Sequence, residues 1–168
     1  MWRNAYAKFM RQRSRLEVVQ KMIQLGISVD SKGGMFIGNL QVYDTALARA
    51  VNVDRRVVRN TVTQILGDAE LRGIFSKIKP VGTSLVEIAS LLGYTVLVIS
   101  ADPYKPGVIA GVADVLADAN IVIRQALADD PDMTQDPKLT LVVEGKVPAS
   151  VLTGIQDIES VRSITILK

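Results

Sequence analysis

Thr95-Val96-Leu97-Val98-Ile99-Ser100-Ala101-Asp102-Pro103-Tyr104-Lys105-Pro106-Gly107-Val108-Ile109 is the stretch that decides the fold. Its first six residues form a nearly continuous apolar run rich in Val and Ile, the composition of a central strand covered on at least one face. Pro106 and Gly107 then turn the chain. Beyond them Ile109, Val112, Ala113 and Leu116 recur at i, i+3, i+4 and i+7, the stripe of an amphipathic helix. Further toward the C-terminus, Ile121 to Leu127 reads as a second strand, and Leu139, Leu141 and Val143 alternate with polar Thr140 and Glu144 in a third. Pro148 opens another helix carrying Val151, Leu152 and Ile155, and Val161 to Leu167 closes with alternating Ile164 and Ile166. The order is βαββαβ, the ferredoxin-like signature, in which right-handed crossovers put both helices on one face of a four-stranded antiparallel sheet. The other sheet face needs cover. A second subunit is the simplest cover, so a homodimer or higher homo-oligomer is expected.

On the N-terminal side of this unit, Leu85, Ile88, Ala89 and Leu92 form a short apolar helical stripe closed by Gly93 and expected to pack on the sheet. Ser76 to Gly82, with its Pro and Gly, has linker composition. A cut at Lys79-Pro80 gives domains 1–80 and 81–168, and it divides the charge unevenly. Residues 1–80 hold 14 Lys and Arg against 6 Asp and Glu, a balance of +8, whereas residues 81–168 hold 6 against 11, a balance of −5. Basic surface attracts phosphate backbones and acidic surface repels them, so nucleic acid is expected to meet the first half only. Neither Cys nor His occurs among the 168 residues. That excludes disulfides, thiolate zinc sites, Ser-His-Asp triads and imidazole catalysis. No apolar run is long enough for a membrane span and the N-terminus lacks a signal peptide's apolar block, so a cytoplasmic protein without membrane contact is expected.

Within the basic half, Trp2, Tyr6, Phe9, Leu16, Val19 and Ile23 recur at helical steps and Gly26 supplies a stop, which predicts one long first helix. Lys8, Arg11, Arg13, Arg15 and Lys21 occupy its other face, as a phosphate-contacting or simply a solvated basic surface. Ile27 to Val42 reads as a short β-hairpin turning at Gly33-Gly34, with Lys32 near its tip. Asp44 or Thr45 can cap a second helix running through Ala50, and Asp54 a third running to about Leu66. The segment Ala46 to Val62 has helix-turn-helix spacing. Ala48 is the small residue where the helices approach, Asn52 tolerates the left-handed turn position, Val53 plugs the corner, and Val58, Val62 and Ile65 form the buried stripe. Arg49, Arg55, Arg56, Arg59, Asn60 and Thr63 are left on or near the outer face. These are residue types that contact phosphates and base edges, so they are the candidate DNA-binding set; a helical hairpin with a solvated basic face is the alternative.

In the acidic half, the backbone N–H groups that start the helix after Pro106-Gly107 favour an anionic group such as a carboxylate, and Asp102 or another loop carbonyl can face a ligand ammonium. An ordinary tight turn is the alternative. Asp129, Asp130, Asp132 and Asp136 lie in one loop, but their spacing matches no EF-hand and the loop lacks its Gly. A solvated acidic loop is the better reading, with no metal and no cofactor.

Lys105-Pro106-Gly107-Val108 ahead of a helix, followed by Ala119-Asn120-Ile121-Val122-Ile123-Arg124-Gln125 on the next strand, resembles the ACT domain. The whole chain, both halves in this order, resembles the archaeal family of predicted regulators of amino acid metabolism that contain an ACT domain. Asn52-Val53-Asp54-Arg55-Arg56-Val57-Val58 and Ile123 to Asp132 carry that resemblance. It implies an effector site at a subunit interface involving Asp102, Tyr104, Lys105, Gly107, Val108 and Ile109, with Asn120, Ile121, Val122 and Ile123. Val122 stands where serine-binding ACT domains carry a polar Asn, so serine is not implied.

The sequence therefore predicts an α+β protein with a helix-turn-helix domain followed by a ferredoxin-like ACT domain. Its expected function is non-catalytic: a ligand-responsive transcription regulator whose partners are double-stranded DNA and an amino acid or similar small effector. The alternative is a regulatory subunit that binds an enzyme of amino acid metabolism. An enzyme is disfavoured, because no phosphate-gripping glycine motif or convergent catalytic set appears, although Asp102, Tyr104 and Lys105 share one loop.

Overall fold

A computed structural model of the chain describes residues 6–167. These residues form a mixed α+β structure with two antiparallel sheets and, among the described residues, six α-helices. The chain divides into two compact units, Met1–Gly82 and Thr83–Lys168.

In the first unit, helix α1 spans Arg13–Leu25 and stops at Gly26, whose φ of 64° is the left-handed geometry that a helix C-terminus often adopts. The single long helix expected from the apolar stripe is corrected here. Gln12 is not helical, and residues 8–11 form a turn that tucks Phe9 into the core. Tertiary bonds hold the break: the Lys8 carbonyl accepts from Gln64, and its ammonium lies 2.7 Å from Asp68 and 2.8 Å from Glu70. Trp2, the first member of that stripe, lies outside the described residues.

Strands β1 (Ile27–Val29), β2 (Met35–Ile37) and β3 (Leu40–Val42) pair in sequence order. The expected hairpin is thus a three-stranded meander. Its first turn is tied by the Asp30 carboxylate, which accepts from the Lys32 and Gly34 amides. Its second turn passes through Gly38, where φ is 58°. Helices α2 (Asp44–Ala50), α3 (Arg55–Gly67) and α4 (Ala69–Phe75) follow. Asp44 is not a cap but the first residue of α2, preceded by Tyr43 at the cap position, and its carboxylate accepts from Arg59. Asp54 does cap α3 through the Arg56 amide, a contact worth about 1 kcal/mol. Asn52 holds φ at 55° between α2 and α3, and the Val53 amide closes the turn on the Ala48 carbonyl. Leu47, Ala48, Val58, Val62 and Ile65 are buried together with Val18, Val19 and Met22 of α1. Helix α4 fills what the sequence leaves as connecting chain; Asp68 caps it, and Leu71 and Phe75 enter the same core.

The second unit begins with two 3-10 turns, Val86–Ile88 and Ser90–Leu92, rather than one helix. After them come β4 (Tyr94–Ala101), α5 (Val108–Asp118), β5 (Ile123–Ala128), β6 (Lys138–Glu144), α6 (Ala149–Gln156) and β7 (Val161–Leu167). The sheet order is β5-β6-β4-β7 with every neighbour antiparallel. Leu97, Ile99, Leu141 and Val143 pack on one side against Val112 and Leu116 of α5 and Val151 and Ile155 of α6. Each such fully buried aliphatic contributes about 1.5–3 kcal/mol. On the opposite side Val96 and Val142 are buried under Ala89, with Leu85 and Val86 packed beside them. The chain's own segment 83–93 therefore covers this face at one end, as the apolar stripe from Leu85 to Leu92 leads one to expect. Gln125 pins that segment, accepting from the Leu85 amide and donating to the Thr83 carbonyl, each at 2.9 Å.

Two irregularities interrupt the ladders. The register of β5 against β6 shifts between Ile123 and Gln125, leaving Arg124 unopposed, and that of β7 against β4 shifts between Val161 and Ser163, leaving Arg162 unopposed.

Candidate functional site

The β4–α5 connection is shaped by its own backbone. The Asp102 amide donates to the Ser160 carbonyl, and the Asp102 carboxylate accepts from the Tyr104 amide at 3.1 Å. Gly107 then adopts φ 96°, a value closed to most side chains, and its carbonyl accepts from Gly111 in the first turn of α5. Beside this loop opens a groove of about 570 Å³, with Asp102, Lys105, Gly107, Val108 and Ile109 on one wall. Antiparallel pairing brings the end of β5 and the start of β6 to the other wall, as Ala128, Asp129, Lys138 and Leu139. Those residues have no sequence signal that links them to the loop; only the ladder Ala128 to Leu139 and Ser100 to Lys138 unites them.

The groove's lining is mainly apolar, and Ala110 and Ala113 of α5 extend it. Its two lysines are already partnered. Lys105 lies 2.8 Å from Glu159, whose carboxyl it holds below the ordinary carboxylate value, and Lys138 lies 2.7 Å from Asp136 and 3.2 Å from the Ser100 hydroxyl. Tyr104 borders a separate recess of about 300 Å³, which adjoins the groove along Ala101, Asp102, Pro103 and Pro137.

Asn120, Ile121, Val122 and Ile123 do not line either space. Asn120 follows α5 with φ 56°, Ile121 and Ile123 pack on the helix-side core, and Val122 is exposed. Ile123 pairs with Val143 and Glu144 with Tyr94, at the far end of β4 from Ser100. Six residues of strand separate the two ends, about 20 Å. Within one chain the two expected halves of the effector site are therefore apart. In the loop of residues 129–137, Asp129 accepts from the Lys138 amide and Asp130 from the Asp132 amide, and among the described residues no three acidic side chains cluster to hold a metal ion.

In the first unit, Arg49, Arg55, Arg56, Arg59, Asn60 and Thr63 are all exposed. Arg55, Arg56, Arg59, Asn60 and Thr63 belong to α3 and Arg49 to the end of α2. Arg56 pairs with Asp54 at 3.2 Å and Arg59 with Asp44, so two of the three arginines of α3 have an acidic neighbour in the first unit itself. The Arg56 amide and then its side chain hold the Asp54 carboxyl below its ordinary value. Exposed pairs of this kind are worth about 0–1 kcal/mol and open readily. The basic face expected on the first helix is largely engaged: besides Lys8, Arg13 pairs with Glu17 and Arg15 donates to Gln64. Among the described residues no helix is long and apolar enough to cross a membrane.

No family model matches the chain, and no curated protein matches it. Among solved structures, the crystal structure of PH0061 is similar to it at 11% identity over 93% of this chain and 90% of that chain, with a TM-score of 0.30, too distant a likeness to carry an argument about fold or function.

Proposed function

We propose that this chain is a non-catalytic, ligand-responsive regulator of the archaeal ACT-containing type that its sequence resembles. In this reading α2 and α3 are a helix-turn-helix that binds double-stranded DNA, and the second unit is a ferredoxin-like ACT domain that binds an amino acid or a similar small effector. The observation that carries the DNA half is α3 itself: one side is buried through Val58, Val62 and Ile65, while Arg55, Arg56, Arg59 and Asn60 are exposed directly after an Asp54 cap and an Asn52 turn. The mainly apolar groove beside Asp102 and Gly107 supports the effector half. Because Asn120 to Ile123 stand about 20 Å from that groove along β4, both sets can serve one site only if a second copy supplies one of them. A homodimer with effector at the interface is thus part of the reading.

Fluorescence anisotropy on a labelled duplex from upstream of the protein's own gene, at two or more salt concentrations, tests the DNA half. Arg56→Ala and Arg59→Ala are expected to weaken binding. Loss of a phosphate contact makes the salt slope shallower by about one unit, and loss of a base contact costs about 1–3 kcal/mol on the preferred site. Lys146→Ala, in the acidic half, is expected to leave the affinity unchanged. A native protein without salt-dependent duplex affinity would overturn the reading in favour of a regulatory subunit for a metabolic enzyme.

A further inference from the structure

Each irregularity in the second sheet exposes an arginine, and the two arginines differ in what surrounds them. Bulges bend a strand and re-aim the extra residue's side chain, and they concentrate next to functional sites. Arg124, at the β5 bulge, is pinned: it lies 3.2 Å from Glu144 and stacks 5.6 Å from the centre of the Tyr94 ring. Arg162, at the β7 bulge, is exposed and has no ion-pair partner among the described residues. It borders the recess of about 300 Å³ that also holds Tyr104, Thr134, Gln135 and the Lys138-paired Asp136, and that adjoins the groove at Asp102. Three cations thus border the two adjoining spaces, Lys105 and Lys138 the groove and Arg162 the recess. Lys105 and Lys138 are neutralised by Glu159 and Asp136, which leaves Arg162 to meet an anion. Asp102 stands on the boundary with one carboxylate oxygen bonded to the Tyr104 amide. The larger space beyond it is lined by Val108, Ile109, Ala113 and Leu139, with Lys105, Asp129 and Lys138 also on its walls.

We infer that the groove and recess together form one site for an α-amino acid with an apolar side chain, with Arg162 as the carboxylate receptor. The planar guanidinium takes the carboxylate by paired N–H donation. Asp102 takes the ammonium at the boundary, and the side chain leaves water for the groove walls. An apolar side chain is favoured there over a charged one, because the alkyl groups offer a charge no partner and the charged residues on the same walls are engaged: Lys105 with Glu159, Lys138 with Asp136, and Asp129 with the Lys138 amide. The inference rests on the proposed effector reading and adds the ligand's class and a receptor that the strand-loop-helix pattern does not contain.

Isothermal titration of the full chain tests it, using L-leucine, L-isoleucine, L-valine, L-methionine and L-phenylalanine, then L-aspartate and L-lysine, and finally the amide of whichever apolar amino acid binds. The native protein is expected to bind an apolar amino acid and to reject its amide and the two charged ones. Arg162→Ala is expected to raise Kd by about tenfold or more, the range of a charge-assisted hydrogen bond, and to abolish discrimination between acid and amide. Arg162→Lys is expected to fall between the two, since it keeps the charge without the paired geometry. Arg162 is exposed, so an unchanged melting curve establishes that the variants fold. Binding of an amino acid with equal affinity by native protein and Arg162→Ala would overturn this inference and leave the effector reading standing. Absence of binding of all seven amino acids by the native protein would overturn this inference and, with it, the amino acid form of the effector reading.

Discussion

Asp68 shows how a single side chain can join two tasks in the first unit. Its carboxylate accepts from the Glu70 and Leu71 amides, capping α4, and from the Lys8 ammonium, anchoring the turn that precedes α1. The Lys8 hydrogen bond first, then the Leu71 amide, hold its carboxyl below the ordinary carboxylate value. A carboxyl depressed on folding contributes stability that is fully present above its unfolded value of about 4 and lost as pH falls through the lower folded value. Lys8 is raised in turn by its hydrogen bonds to Asp68 first and then to Glu70, so its share is present below the ordinary lysine value and lost only as pH rises through the raised one. Asp68→Asn keeps a capping oxygen but removes the charge. Urea unfolding is expected to show a lower midpoint at pH 7 and a smaller further loss between pH 5 and pH 3 than in the native chain; an unchanged acid-side loss would contradict the assignment. Residue roles of this kind were unevenly legible in the sequence. Asn52, Ala48 and the Val58-Val62-Ile65 stripe could be read because a turn and a buried helix face each demand a residue type locally. The Lys8 pair with Asp68 joins positions sixty residues apart, and no local pattern announces it.

At the scale of elements, the second unit was the more legible, because strict alternation and the i, i+3, i+4 stripe name a strand or a helix without help from the rest of the chain. The failures have tertiary causes. The stripe from Tyr6 to Ile23 satisfies helical periodicity, yet Gln64, Asp68 and Glu70 gather the Lys8 turn and the helix breaks at Gln12. Helix α4 is short and contains Gly73, which weakened its signal, although the Asp68 cap and the Leu71-Phe75 spacing were present. The groove was half visible: the loop from Asp102 to Ile109 carries its own turn chemistry, whereas Ala128, Asp129, Lys138 and Leu139 arrive only through strand pairing. The Arg162 recess depends on a bulge, which is a property of two strands in register and not of either alone. Segment 83–93 is held chiefly by apolar packing of Ala89, Leu85 and Val86 and by the two hydrogen bonds of Gln125. Removing both bonds with Gln125→Leu is expected to speed amide exchange in residues 83–93 by about tenfold or more, since each net bond is worth about 0.5–1.5 kcal/mol. Exchange in β4 and β6 is expected to stay slow. Equal protection of segment 83–93 in both proteins would show that packing alone retains it.

Across the whole molecule the charge division and the two separate cores describe one basic unit and one acidic unit joined by a short connection near Pro80 to Gly82. Such a chain is useful as a regulator only if occupancy of the second unit alters what the first unit binds, which is a coupling free energy between two sites. Coupling is also reciprocal, so duplex DNA must then alter effector affinity by the same factor. The most direct measurement is the duplex dissociation constant of the full chain at fixed salt, determined without ligand and again with the best-bound apolar amino acid at saturation. The expected result is a change of about 5- to 150-fold in either direction, the usual span of such coupling, and its disappearance in Arg162→Ala at the same ligand concentration. A native protein that binds both duplex and amino acid, yet shows the same duplex affinity with and without the amino acid, would contradict it.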